Sequence, residues 1–180
     1  QYFGGAAAEA EGPLREAYRR YGIVREPAHA WGRFQGRFDL DEEPNEPHRF
    51  GWIVEFDPYD PSSVPVKRTA LGRFKHECCT HAVSKDGRVV FYSGDDERFD
   101  YIYKFVSKKR YRECDDREAR QHNMTLLEEG DLYVAHFSGD SPAAEIDGRG
   151  TLPSDGEFDG TGRWVPLVRD GRSMIPGKDV

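Results

Sequence analysis

Between Gly94 and Asp100 the chain places four carboxylates (Asp95, Asp96, Glu97 and Asp100) and one arginine, Arg98, within seven residues. An alternating aromatic run follows at once, Tyr101-Ile102-Tyr103-Lys104-Phe105. Acids held at the entrance of a strand suit a hard cation such as calcium, which takes about 6–8 oxygen ligands. For Asp95, Asp96 and Glu97 two readings stand, a metal site or a solvated acidic turn, and no EF-hand loop pattern supports the first. A second group, Arg73-Phe74-Lys75-His76-Glu77, sets one carboxylate among potential cations. In a sheet-bound segment Glu77 is expected to be buried, which is costly unless the charge is paired or metal-bound. It is therefore read as a metal ligand or as the ion-pair partner of Lys75 or Arg73. His76 is a ligand or an ordinary hydrogen-bonded histidine. Arg98 offers a bidentate fork for phosphate, or it pairs with Asp96 or Asp100.

Other chemistries lack their residues. No phosphate-cradling glycine loop with Lys-Ser/Thr and no dinucleotide fingerprint is present, and Ser62-Ser63 and Ser93-Gly94 lack a nucleophile elbow. The net charge of −7 comes with no block of Lys and Arg, so no nucleic-acid partner is expected. No apolar run approaches the ~18 residues that would span a bilayer, and no charged-then-apolar leader is visible. The chain opens on Gln1 rather than Met, so an excised segment is expected. Cys78, Cys79 and Cys114 form neither a zinc spacing nor an even-numbered framework; for the adjacent pair, burial or metal ligation are the options.

The elements that must position these groups are mostly short strands. With hydrophobic content at 37% and mean hydropathy at −0.81, the core has to lean on 3 Trp, 9 Tyr and 11 Phe, each burying roughly 150–250 Å². Residues 12–22 read as a helix between Pro13 and Gly22, with Leu14, Ala17, Tyr18 and Tyr21 on one face. Residues 39–48 are an acidic, proline-broken loop. Alternation predicts a strand from Phe50 to Phe56 that ends at Asp57-Pro58. A hairpin pairs His81–Ser84 with Arg88–Ser93 across Lys85-Asp86-Gly87. Further strands are expected from Tyr101, over Asp131–Phe137 and over Gly162–Leu167, with a helix over Asp115–His122 and a long loop over 138–162. The expected class is all-β, blades of a partial β-propeller with short helical insertions, at about 40–50 residues per blade and at most about four blades. Residues 1–44 would be a helical and loop lead-in, and residues 45–180 the blades of one incomplete domain.

Several of these segments resemble the PhoX family of alkaline phosphatases. They are His48 to Pro58 (His-Arg-Phe-Gly-Trp-Ile-Val-Glu-Phe-Asp-Pro), Arg68 to Glu77 (Arg-Thr-Ala-Leu-Gly-Arg-Phe-Lys-His-Glu) and Gly94 to Ser107. Leu126 to Ala135 and Gly162 to Leu167 follow in the same order. The likeness spans roughly residues 45–180, and Gln1-Tyr2-Phe3-Gly4-Gly5 is similar to the end of a family Thr-Cys-Glu-Glu-Asn segment. The resemblance implies a periplasmic or secreted β-propeller that hydrolyses phosphate monoesters with iron (Fe3+) and calcium (Ca2+), monomeric in its full-length form. It implies that Glu77, in a Lys-His-Glu motif, is an iron ligand. It further implies that Asp95, Asp96 and Glu97 are calcium or supporting positions, and that Arg98 or Lys75 neutralises phosphate charge. A family cysteine ligand is expected just before Gln1 and an Arg-Pro-Glu stretch beyond Val180, so this central fragment is expected to be inactive alone. Cys78-Cys79 replace small residues, with Cys78 a possible soft ligand, and Asp100 replaces a Glu. The rival reading is a non-catalytic, calcium-stabilised propeller module that binds a partner through its loops.

Overall fold

A computed structural model describes residues 2–113, 116–138 and 160–179. The expected long loop therefore lies mostly outside the described residues, as does Cys114. The chain divides into two compact units, Gln1–Gly51 and Trp52–Val180.

The first unit holds its chain with few regular elements. Helix α1, Arg15–Arg20, is shorter than the span between Pro13 and Gly22 suggests. Leu14 stands at its N-cap without a side-chain cap bond, so nothing there extends the helix. Its apolar face is the expected one: Tyr18 is buried with Ala8 and Leu40, and Leu14 packs against them. The Asp41 carboxylate accepts the backbone N–H groups of Ala6 and Ala7 at 2.9 and 2.7 Å, and these bonds hold its pKa below the ordinary carboxylate value. Glu46, only 4% exposed, is compensated by Arg37 and, at 3.3 Å, Arg49.

The second unit is built on antiparallel strands. The strand expected over Phe50–Phe56 shrinks to β1, Val54–Glu55, because its partner β2, Val66–Lys67, is just as short. The main sheet takes β3 (Thr80–Val83), β4 (Arg88–Gly94), β5 (Ile102–Arg110), β6 (Gly130–Ser138), β7 (Thr161–Arg169) and β8 (Arg172–Ser173), each beside its neighbour in sequence. Where the spacing suggests about four blades, the described strands form one continuous sheet from β3 to β8 and a separate β1–β2 pair. Gly87, at φ 84°, closes the β3–β4 turn as expected. Helix α2, Arg117–Asn123, starts where the Asp116 carboxylate accepts the Ala119 N–H at 2.7 Å.

Cross-strand register places the core on one face. Phe91, Phe105, Leu132 and Val168 form a row across β4 to β7, and Leu71 and Leu127 close over it. Full burial of a side chain such as Phe105 contributes about 1.5–3 kcal/mol. The opposite face carries the row Tyr92, Lys104, Tyr133. There the Lys104 ammonium lies 4.9 Å from the Tyr133 ring centroid and 4.4 Å from that of Trp164. Burial lowers its pKa, and among the described residues no carboxylate pairs with it. Arg68, nearly fully buried, ties β2 to the segment after α2: it bonds Glu55 and the Met124 carbonyl, with Glu128 at 3.8 Å.

Candidate functional site

The two groups of chemistry-bearing residues meet through one backbone pairing. Lys75–Glu77 runs antiparallel to the end of β4, with His76 and Asp95 as bridge partners. The Asp96 N–H donates to the Lys75 carbonyl at 3.0 Å, and the Glu77 N–H to the Gly94 carbonyl at 3.4 Å. These bonds flank His76 and Asp95 instead of joining them. That is the geometry in which facing side chains lie closest, with Cα atoms about 4.5 Å apart. On its other side Asp95 donates its N–H to the Tyr101 carbonyl at 3.1 Å, fastening the acidic loop to the start of β5.

Period-two alternation then separates the acids. His76 and Asp95 share the face of Phe91 and Ser93, while Glu77 and Asp96 fall to the opposite side. Past Asp96 the chain turns: the Asp95 carboxylate accepts the Glu97 N–H at 3.0 Å, and the Asp100 N–H donates to the Glu97 carbonyl at 3.2 Å. Phe99 occupies this turn at φ 65°, with a side chain 97% exposed. A left-handed residue with a Cβ costs roughly 1–2 kcal/mol. The Arg98 guanidinium lies 5.8 Å from the Phe99 ring centroid.

Beneath this pairing His76 is held on every side. Its Nδ1 lies 2.7 Å from Ser93 Oγ and its Nε2 3.2 Å from the Gly72 carbonyl oxygen. The Phe74 ring sits 3.6 Å away, centroid to centroid. The Ser93 hydroxyl also bonds the Cys78 carbonyl. Burial pushes the His76 pKa down, opposed by the Gly72 carbonyl and the Asp95 charge.

The expected site residues therefore land in different surroundings. Glu77 is exposed, not buried, and its carboxylate makes no ion pair with Lys75 or Arg73 among the described residues. Lys75 instead pairs with Glu97. This half-exposed pair is worth about 0–1 kcal/mol. Asp96 is exposed, and Asp95 and Glu97 are half-buried. Arg98 is exposed and pairs with neither Asp96 nor Asp100. Asp100 instead accepts from the Tyr101 N–H and the Tyr103 hydroxyl. Cys78 is exposed and Cys79 half-buried; burial, then the neighbouring Cys78, pushes the Cys79 thiol up.

Glu77 fits a cation site as one oxygen donor that is reachable and not already compensated. Among the described residues, however, no three His, Cys, Asp or Glu side chains come together to hold a metal ion. Alternation sends Asp95 and Asp96 to opposite sides, so these neighbouring acids do not converge. A separate cleft of about 590 Å³ is lined by Arg73, Arg88, Lys108, Glu129, Asp131 and Asp170 among others, and neither Glu77 nor Asp95–Glu97 lines it. Its charges are largely matched in place: Lys108 with Glu129 at 3.0 Å, and Arg88 with Asp86 at 2.8 Å. From sequence, Ser93 is weighed only as a nucleophile and set aside, which misses its contact with His76. Its signal is a hydroxyl in the inward-facing series Phe91, Ser93, Asp95.

Residues 1–179 match the family model of alkaline phosphatase PhoX. The chain belongs to the PhoX family. A solved structure, Pseudomonas fluorescens PhoX in complex with vanadate, a transition state analogue, resembles it with a TM-score of 0.72 and 42% identity. The match covers 92% of this chain and 26% of that one, so the chain spans about a quarter of its PhoX relative. Among curated proteins, none matches. The all-β, propeller-type architecture with short helical insertions is the one this PhoX chain shares with that relative. PhoX proteins are metal-dependent phosphatases. In this chain no helix among the described residues is long and apolar enough to cross a membrane.

Proposed function

We propose that this chain forms part of an alkaline phosphatase that hydrolyses phosphate monoesters, contributing Glu77 as a metal ligand. What carries this reading is the likeness, at 42% identity, to a PhoX in complex with vanadate, a transition state analogue. In the strand pairing at His76 and Asp95, the Lys-His-Glu segment lies beside the acidic loop, supporting the same reading.

The metals are read as iron (Fe3+) and calcium (Ca2+). Bound metal ions would polarise the phosphoryl oxygens and neutralise charge developing on them. Glu77 would hold such an ion together with donors from elsewhere in the parent protein. Asp95, Asp96 and Glu97 serve as calcium or supporting positions; Asp95 acts from the inner face, Asp96 from Glu77's. Arg98, which carries no carboxylate partner among the described residues, is the better phosphate contact. Lys75 is already occupied by Glu97. Residues 1–44 are read as lead-in to blades in 45–180, in a monomeric protein of the periplasm or the secreted fraction.

The test is Glu77→Gln in the full-length parent, assayed for p-nitrophenyl phosphate hydrolysis and for iron and calcium per chain by mass spectrometry. Loss of both activity and bound metal is expected. Full metal content with unchanged kcat would remove Glu77 from the site.

A further inference from the structure

We infer that His76 and Ser93 form a clamp that positions Glu77, making them positioning residues for metal binding rather than ligands. This rests on the reading of Glu77 as a ligand and goes beyond it by assigning what holds that carboxylate in place.

Three observations carry the inference. First, His76 Nδ1 lies 2.7 Å from Ser93 Oγ, and because the Ser93 proton goes to the Cys78 carbonyl, Nδ1–H is the donor; Nε2 lies 3.2 Å from the Gly72 carbonyl oxygen. The imidazole is thereby spent on internal contacts and faces the core side. Second, Ser93 is buried and also bonds the Cys78 carbonyl. One hydroxyl on β4 thus grips the segment on both sides of Glu77, through the side chain of residue 76 and the carbonyl of residue 78. Third, the backbone pairs this segment to the end of β4 at a single isolated bridge, through the Asp96 N–H to the Lys75 carbonyl at 3.0 Å and the Glu77 N–H to the Gly94 carbonyl at 3.4 Å.

The physical consequence follows from strand alternation. With His76 fixed inward, Glu77 must emerge on the opposite side. If the clamp is released, a one-residue slip would exchange their faces. Groups that orient metal ligands in this manner are typically worth 10–100-fold in metal affinity.

The experiment uses the full-length parent and four variants: His76→Ala, His76→Asn, Phe105→Leu and Glu77→Gln. Iron and calcium affinities are measured by competition with chelators, beside the melting temperature and kcat and KM for p-nitrophenyl phosphate. His76→Ala should lower metal affinity on the order of 10–100-fold. His76→Asn, whose amide nitrogen sits where Nδ1 does and can still donate to Ser93, should restore most of it. Phe105→Leu, a core change outside the clamp, should lower the melting temperature with metal affinity retained.

Affinity within twofold of wild type in His76→Ala overturns the clamp. So does equal loss in Phe105→Leu and His76→Ala at matched melting temperature, which would mean stability alone was at work. Failure of His76→Asn to restore affinity while restoring stability also overturns it. Glu77→Gln separates the two levels. If that variant keeps its metals, the ligand assignment fails and the clamp with it; if it loses them while His76→Ala does not, only the clamp fails.

Discussion

Arg68 Nε donates to Glu55 Oε2 at 2.5 Å, and the guanidinium carrying that bond is only 6% exposed. The same side chain also bonds the Met124 carbonyl and approaches Glu128. It therefore anchors the two-stranded β1–β2 pair to the segment beneath the main sheet. Breaking a buried pair by removing one partner costs about 3–5 kcal/mol. Arg68→Ala should lose stability of that order in urea denaturation followed by circular dichroism. A loss under ~1 kcal/mol, the range of exposed pairs, would show that the network is dispensable.

Gly130 opens β6 where no side chain can fit. A Cβ there would lie 2.3 Å from the Val106 carbonyl oxygen and 2.4 Å from the Phe105 ring. The first contact is backbone and cannot swing aside, so the β5–β6 pairing must open. Gly130→Ala should destabilise by about 1–3 kcal/mol or more, with amide exchange rising at Phe105 and Ser107 before it rises in β3.

Acid should loosen the β3–β4 turn selectively. The Ser84 hydroxyl and the Arg88 guanidinium hold the Asp86 pKa down to about 2 from an ordinary 3.8. Because the folded value is the lower one, this contribution is complete above about pH 4. It is lost as pH falls from there through about 2. NMR titration of Asp86 should follow that course in wild type and return toward the ordinary range in Ser84→Ala.

Alternation in the Lys75–Glu77 pairing separates two carboxylates that composition would group together. Glu77→Gln should lower bound metal far more than Asp95→Asn, since Asp95 lies on the His76 side and its carboxylate already accepts the Glu97 N–H. Equal loss in both, measured as metal per chain in the full-length protein, would return all the acids to one site.

Residues 1–180, purified alone, should show no hydrolysis of p-nitrophenyl phosphate above background. Among the described residues no complete set of metal donors is assembled. Turnover by the isolated chain would overturn this.

Much of the sheet was legible because its signals are local. Asp86-Gly87 marked a turn, and alternation from Tyr101 and from Asp131 marked strands, the first of which begins at Ile102, that register then confirmed in the row Phe91, Phe105, Leu132. The short β1–β2 ladder was half-seen: the Phe50–Phe56 alternation was visible, but its pairing with Val66 and Lys67 depends on a contact across a proline-rich loop. In the site, residue identity was readable and facing was not. Glu77 read as buried because its neighbours are sheet-bound, yet strand parity sends His76 inward and Glu77 out. Nothing local says which of two adjacent residues takes the inner face. That is decided by the register at Asp95, set by a bridge between separate stretches of chain.

Every strand from β4 to β8 lies beside the one that precedes it in sequence. Such a meander can zip outward from any hairpin, each new strand finding its template already in place. Contacts between sequence neighbours are those that form fastest. The strand ladder can thus be largely complete before distant parts of the parent protein arrive, leaving Glu77 presented on a finished scaffold to whatever later docks against it.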